Sequence, residues 1–277
     1  MTVSDYLGLW LDTYVRPFCA ANTAESYQGA LAHLSGEVLA LDLSAVQPIT
    51  LQRDINRLAA NYSRQAQILY VALHAAFRRA VELDLVSRNP LDKCDKPRHQ
   101  RREIAYFTPE EAVAYMRAAR SDRAYIPLAL MLCMGLRRNE ARAVRGCDIV
   151  GGVLLVRNQR IGATLAPLKT AASVRQLPVP EGLLPDRLPD GLLYDLSETA
   201  LRHAHMRVMA NAGLSRPVTL HGLRHTCATL AVATGQPLTT VQRLLGHAKF
   251  AITADYYVHT DLSGLSLALS GVFSVVA

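Results

Sequence analysis

The sequence predicts a mainly α-helical protein with a small antiparallel β-sheet in its C-terminal half. Three observations predict it. Apolar residues recur at helical spacing through most of the chain. The period turns strand-like only in the segments Val153–Val156 and Val174–Val179. A basic, polar stretch, DKCDKPRHQRRE at residues 92–103, separates two halves. At 277 residues, half of them hydrophobic, the chain can bury a core in each. The expected division is a helical bundle over residues 1–96, a linker over 97–103 and a larger domain over 104–277.

Thr2 to Val15 reads as an amphipathic helix, with Tyr6, Leu7, Trp10, Leu11 and Tyr14 at helical spacing and Pro17 just beyond. Thr23 is expected to begin a second helix, closing near Gly36. Thr50 is expected to cap a third, over Leu51–Ala60. A fourth runs from Ser63 to about Leu85, with Ile68, Leu69, Ala72, Leu73, Ala76 and Phe77 on one face. Asn89-Pro90 stops that pattern.

In the second domain Thr108-Pro-Glu-Glu is a helix start: Thr108 caps, Pro109 takes the first helical position and Glu111 closes the capping box. The apolar run Ala124–Met134 predicts a buried helix ended by Gly135. Leu136-Arg137-Arg138-Asn139-Glu140 follows, and an arginine held directly after a buried helix calls for an anion or a carboxylate. Gly151-Gly152 marks a hairpin turn, and Lys169 is expected near a hairpin tip between the two strand-like segments. Ser197 starts a helix through about Asn211, closed by Gly213. His203 and His205 on it are two apart and do not share a helical face. His221, Arg224 and His225 open a helix ending at Gly235. Thr239 or Thr240 is expected to cap the next, which stops at Gly246. A last helix carries Thr253, Tyr256, Tyr257 and His259.

The formal net charge of +7 favours a polyanionic partner such as nucleic acid. Lys96, Arg98, Arg101 and Arg102 are placed to follow a phosphate backbone. Five scattered cysteines without a C-x-x-C pair argue against disulfides and zinc knuckles and for a reduced, cytoplasmic chain. Met1–Trp10 lacks the cationic start of a secretory leader. The apolar end, Leu262–Ala277, is broken by Ser and Gly and is too short to span a bilayer comfortably, so it reads as a docking segment.

The chemistry concentrates in residues 221–259. An arginine, several imidazoles and a phenol together suit attack of a tyrosine on a phosphodiester. His221 and His225 stand four apart, but Gly222 sits where a zinc protease needs glutamate and no third ligand is evident, which favours phosphate binding over zinc. Neither a P-loop pattern nor a carboxylate metal cluster is present in the sequence.

Gly135-Leu136-Arg137 with Glu140, Leu168-Lys169-Thr170 through Ser173, Arg175 and Pro178, His221-x-x-Arg224-His225, Leu244-Leu245-Gly246-His247, and Thr253-Ala254-Asp255-Tyr256-Tyr257-Val258-His259 occur in that order. Each alone is a weak signal. Together they resemble the motifs of the tyrosine recombinases, the phage integrase family, over nearly the whole chain. The N-terminal bundle similarly resembles that family's core-binding, DNA-binding domain.

The resemblance implies six catalytic residues: Arg137, Lys169, His221, Arg224, His247 and Tyr257. Tyr256 and Tyr257 compete as nucleophile, because neighbours on a helix point about 100° apart. The family pattern sets the tyrosine two before a histidine and four after a threonine, which favours Tyr257 and leaves Tyr256 to pack, while the shorter gap from the preceding histidine in some members would favour Tyr256. Arg137 and Arg224 would neutralise the phosphate, and His221 would take or relay the phenol proton. Lys169 would protonate the leaving 5′ oxygen, and His247 would hydrogen-bond the phosphate. Glu140 and His225 would hold the arginines and backbone in place.

The expected activity is metal- and ATP-independent strand cleavage and rejoining through a 3′-phosphotyrosyl intermediate, with no cofactor. It would integrate or excise a phage or mobile element. The expected partners are double-stranded DNA carrying recombination sites, a homotetramer on that DNA and an accessory directionality factor, with no membrane. The apolar C-terminal segment would dock on a neighbouring protomer. Resolution of chromosome or plasmid dimers is the alternative, followed by a type IB topoisomerase and a non-catalytic DNA-binding protein.

Overall fold

Thr2 starts the fold by closing a capping box. Its hydroxyl accepts from the Asp5 N–H at 3.1 Å, and the Asp5 carboxylate accepts from the Thr2 N–H at 3.2 Å. The computed structural model of the protein describes residues 1–98, 104–168, 170, 173–246 and 262–276. The chain divides into two units, Met1–Arg102 and Glu103–Ala277.

In the first unit, helix α1 (Val3–Trp10) continues into a π-helical stretch, Leu11–Val15. Helices α2 (Ala21–Leu31), α3 (Gly36–Ala40), α4 (Pro48–Ala59) and α5 (Ser63–Glu82) follow. The buried face of α5 is Ala66, Leu69, Ala72, Leu73, Ala76, Phe77 and Ala80. That is the apolar stripe legible in the sequence, and it packs against α2 and α4. Four boundaries differ from expectation. Helix α2 begins at Ala21, so Thr23 lies inside it. Gly36 opens a helix and closes none: Ser35 caps α3, and the buried Asp54 carboxylate accepts from both the Ser35 N–H, at 2.7 Å, and its hydroxyl, at 2.8 Å. Thr50 lies inside α4, because Pro48 takes the first helical position and the Thr50 hydroxyl turns back onto the Gln47 carbonyl at 2.7 Å. The helix α5 ends at Glu82, and Asp84 turns the chain with a φ of 55°.

The second unit opens with α6 (Pro109–Ala119), capped by Thr108 and Glu111 as the sequence requires. The helix α7 (Tyr125–Cys133) is buried at every position from Pro127 to Cys133. A short α8 (Arg138–Ala141) follows. Strands β1 (Ile149–Val150), β2 (Val153–Val156), β3 (Asn158–Ile161), β4 (Thr164–Pro167) and β5 (Arg175–Pro178) come next. Strands β1, β2 and β5 form an antiparallel sheet in that order, with Leu154 opposite Leu177 on the buried face. Strands β3 and β4 form a separate hairpin, which the sequence did not announce.

Helix α9 (Glu198–Asn211) is capped by Ser197, and α10 (Leu220–Ala233) by Thr219. The helix α11 (Leu238–Leu245) begins ahead of the expected threonine cap, directly after Pro237, and ends at Gly246 in the left-handed region. Helix α12 (Leu262–Val276) buries Leu269, Val272 and Val276 against its own unit, where it meets α6, α7, α10, α11 and β5. The core of this unit is therefore α7 against α10, roofed by α6, α11 and α12. Among the described residues no helix is long and apolar enough to cross a membrane.

Candidate active site

Gly135 ends α7 with a φ of 63°, a conformation that favours glycine. A Cβ there would also lie 2.8 Å from the Leu245 side chain. The turn it makes delivers Arg137 to the start of α8. The Glu140 carboxylate accepts from the Arg137 N–H at 2.9 Å and from Arg137 Nη1 at 2.7 Å. It also accepts from Arg175 Nη2 at 2.9 Å. Glu140 is buried, and burial by itself raises a carboxyl. The Arg175 charge and hydrogen bond, then those from Arg137, outweigh burial and hold the Glu140 pKa at about 2.

Three arginines reach the C-terminus of α11. Arg175 Nε donates to the Leu244 carbonyl at 2.8 Å, Arg224 Nη2 to Leu245 at 2.5 Å and Arg137 Nη2 to Gly246 at 2.9 Å. The last carbonyls of a helix lack intrahelical partners and carry the negative end of its dipole, so cations suit them. Arg224 also donates through Nη1 to the Gly135 carbonyl at 2.6 Å, joining both turns. Burial, with Arg137 and Arg175 nearby, pushes the Arg224 pKa down to about 9. It stays protonated at neutral pH, in a cluster holding three guanidiniums against one carboxylate. Such a cluster attracts an anion.

His221 sits on the first turn of α10, one turn before Arg224. Partial burial, then Arg224, His225 and Arg137, lower its pKa below that of a free imidazole. It is therefore neutral at pH 7 and able to accept a proton. A cleft of about 550 Å³ brings Arg137, Glu140, His221 and Arg224 together with Thr170 and Ser173. His225 lies outside that set, and its ring meets Tyr106 edge-on at 5.4 Å.

Other bonds fix α10. The Thr219 hydroxyl accepts from the Gly222 N–H at 3.1 Å. The Phe107 N–H donates to the Thr226 hydroxyl at 3.0 Å, and Gly222 packs so near residue 105 that a Cβ would lie 2.6 Å from the Ala105 carbonyl. His205 is buried and structural. A carbonyl can only accept, so His205 Nε2–H donates to Val218 at 2.8 Å and Nδ1 accepts the Tyr115 hydroxyl at 2.7 Å.

Of the six sequence-derived candidates, Arg137, His221 and Arg224 converge on the cleft. Lys169, His247 and Tyr257 lie outside the described residues, as does Tyr256. Leu168 and Thr170, on either side of Lys169 in sequence, line the cleft. Arg175 is the residue that sequence reasoning placed in a motif without a role. Its signal was position alone, two residues after Ser173 at the start of a strand.

The chain matches the model of the phage integrase family over residues 105–263, more than half its length. It is 25% identical to a tyrosine recombinase XerC-like protein of Caldanaerobacter subterraneus subsp. tengcongensis, over 94% of this chain and 79% of that protein. Its fold resembles the Tn1549 transposon integrase solved in complex with a circular intermediate DNA, with a TM-score of 0.75 and 20% identity over 95% of this chain and 97% of that one. It also resembles a lambda integrase tetramer bound to a Holliday junction, with a TM-score of 0.73 and 18% identity over 94% of this chain and 81% of that one. The chain belongs to the phage integrase family, the tyrosine-type site-specific recombinases.

Proposed function

We propose that the protein cleaves and rejoins DNA strands at specific sites through a 3′-phosphotyrosyl intermediate, and that it integrates or excises a phage or other mobile element. The convergence of Arg137, Arg175 and Arg224 on the last carbonyls of α11, with Glu140 pairing the first two and neutral His221 beside them, carries this reading. A scissile phosphodiester supplies the anion this cluster lacks.

In the proposed reaction Arg137 and Arg224 donate to the non-bridging oxygens, where charge grows in the transition state. His221 takes the proton of the Tyr257 phenol, whose ordinary pKa is near 10. The phenolate oxygen bonds to phosphorus as the bond to the 5′ oxygen breaks, and Lys169 protonates that oxygen. His247 hydrogen-bonds the phosphate. In the return step a 5′-hydroxyl from another strand gives its proton to Lys169 and attacks the phosphotyrosine, and Tyr257 leaves with the proton that His221 returns to it. One phosphoester is exchanged for another, so neither ATP nor a cofactor takes part.

The helical unit Met1–Arg102 serves as the DNA-binding clamp and the basic linker follows the backbone. Four protomers act on two duplexes in the cytoplasm, an arrangement supported by the lambda integrase tetramer on a Holliday junction. An accessory protein sets direction. Resolution of chromosome or plasmid dimers is the second reading, favoured by the XerC-like relative.

The test uses two marked duplexes carrying candidate sites. Exchange between unlike sites supports integration, and exchange restricted to identical sites supports dimer resolution. Relaxation of a supercoil without exchange assigns a topoisomerase, and binding without cleavage assigns a non-catalytic DNA-binding protein.

A further inference from the structure

Behind the turn that presents Arg137 lies a second group of cations, apart from the cleft. Arg142, directly after α8, is 1% exposed, Arg160 on β3 is 8% exposed and Tyr194 is 4% exposed. Arg142 Nη2 donates to the Gly162 carbonyl at 3.0 Å, at the turn between β3 and β4. Arg160 Nη1 donates to the Tyr194 carbonyl at 3.1 Å. Among the described residues Arg142 Nε and Nη1, Arg160 Nε and the Tyr194 hydroxyl are buried without a hydrogen-bond partner.

The carboxylate beside them does not balance this charge. Glu198 comes only to 4.0 Å from Arg142 Nη1, and it also serves Arg138 at 2.7 Å and Arg202 at 3.3 Å. Burial, and next the Arg160 charge, lower the Arg142 pKa. Buried donors without acceptors are costly, and buried charges without counter-charges more so.

We propose that Arg142, Arg160 and the Tyr194 hydroxyl hold a small inorganic anion of the halide class, chloride in solution. Every unpartnered group can donate and two of them are guanidiniums, which suits an anion and excludes a cation. Two of the three side chains are guanidiniums, so a water molecule would satisfy geometry and leave charge uncompensated. The unpartnered atoms are closed off from solvent, which favours a compact monatomic ion over an oxyanion such as phosphate. The bound ion braces Arg142 against the β3–β4 hairpin and, through α8, steadies the turn carrying Arg137 and Glu140.

The test replaces chloride with bromide in crystals of the full chain and reads anomalous scattering. The proposal expects a bromide peak between Arg142, Arg160 and the Tyr194 hydroxyl. In parallel, thermal unfolding is followed at constant ionic strength with chloride exchanged for gluconate. A hundredfold excess of chloride over its dissociation constant raises Tm by about 5 °C in the wild type. Tyr194→Phe, which removes only the hydroxyl, weakens that dependence, and Arg142→Met abolishes it. Bromide confined to the Arg137 cleft, a water alone at the second cluster, or a chloride effect unchanged in both variants overturns the proposal. A bromide peak with no chloride effect on Tm overturns it as well.

Discussion

Arg137 and Arg224 donate to successive carbonyl oxygens of one helix end, Gly246 at 2.9 Å and Leu245 at 2.5 Å. They come from elements far apart in sequence, the turn after α7 and the second turn of α10. The C-terminus of α11 therefore acts as the template that sets them side by side. Arg175 completes the set on Leu244. The same helix end leads in sequence directly to His247.

Gly246 is where this template is most sensitive. Its φ is 63°, and a Cβ there would lie 3.2 Å from Arg175 Nη1. Gly246→Ala should cost about 1–2 kcal/mol for the left-handed backbone, read by urea unfolding, and should slow DNA cleavage while binding persists. Gly213→Ala is the control: its φ is 68° with open space around the added carbon. It should lose similar stability with cleavage unchanged. Equal effects of the two on cleavage would count against the template.

Glu140 holds Arg137 and Arg175 from the inside. Glu140→Gln leaves both guanidiniums short of their counter-charge, and removing one partner of a buried pair costs about 3–5 kcal/mol. Thermal and urea unfolding should show that loss, and a change under 1 kcal/mol would be inconsistent with it. The pH dependence has a definite sign. The folded-state pKa of about 2 lies below the ordinary 4.5, so the contribution is complete above 4.5 and declines as pH falls toward 2. The stability gap between wild type and Glu140→Gln should narrow across that window and stay constant from pH 5 to 8.

His221 is neutral at pH 7 because partial burial and three neighbouring cationic or basic groups lower its pKa. A proton acceptor with a lowered pKa keeps working into mild acid. The acidic limb of single-turnover cleavage should have its midpoint below 6.5, the ordinary imidazole value. His221→Gln should be slow throughout and lack that acidic limb. A wild-type midpoint at or above 6.5 would show that the environment does not lower this pKa.

Much of the fold was legible because local chemistry and packing agree. Thr108-Pro-Glu-Glu caps α6 as written, the apolar run through Cys133 is buried, and the stripe from Ala66 to Ala80 faces its neighbours. The β3–β4 hairpin was not legible. Asn158-Gln159-Arg160-Ile161 carries little alternation, and Arg160 is buried there through a carbonyl at residue 194. Gly36 opens α3 and closes no helix, because a glycine near a helix end suits either side and the deciding contact comes from Asp54, distant in sequence. In the site, residue types and spacing singled out Arg137, His221 and Arg224. The role of Arg175 was hidden because its partners, Glu140 and Leu244, lie 35 and 69 residues away.

The central claim is that Tyr257 becomes joined to DNA in this arginine-lined site. A nicked duplex carrying the recombination site, whose freed 5′ end diffuses away, traps that intermediate. Incubated with the full chain without metal or ATP, it should give a covalent protein–DNA band, and peptide mapping should place the nucleotide on Tyr257. Tyr256→Phe should retain the band and Tyr257→Phe should abolish it. A band that survives Tyr257→Phe, or none with the wild type on a duplex it binds, would contradict the account.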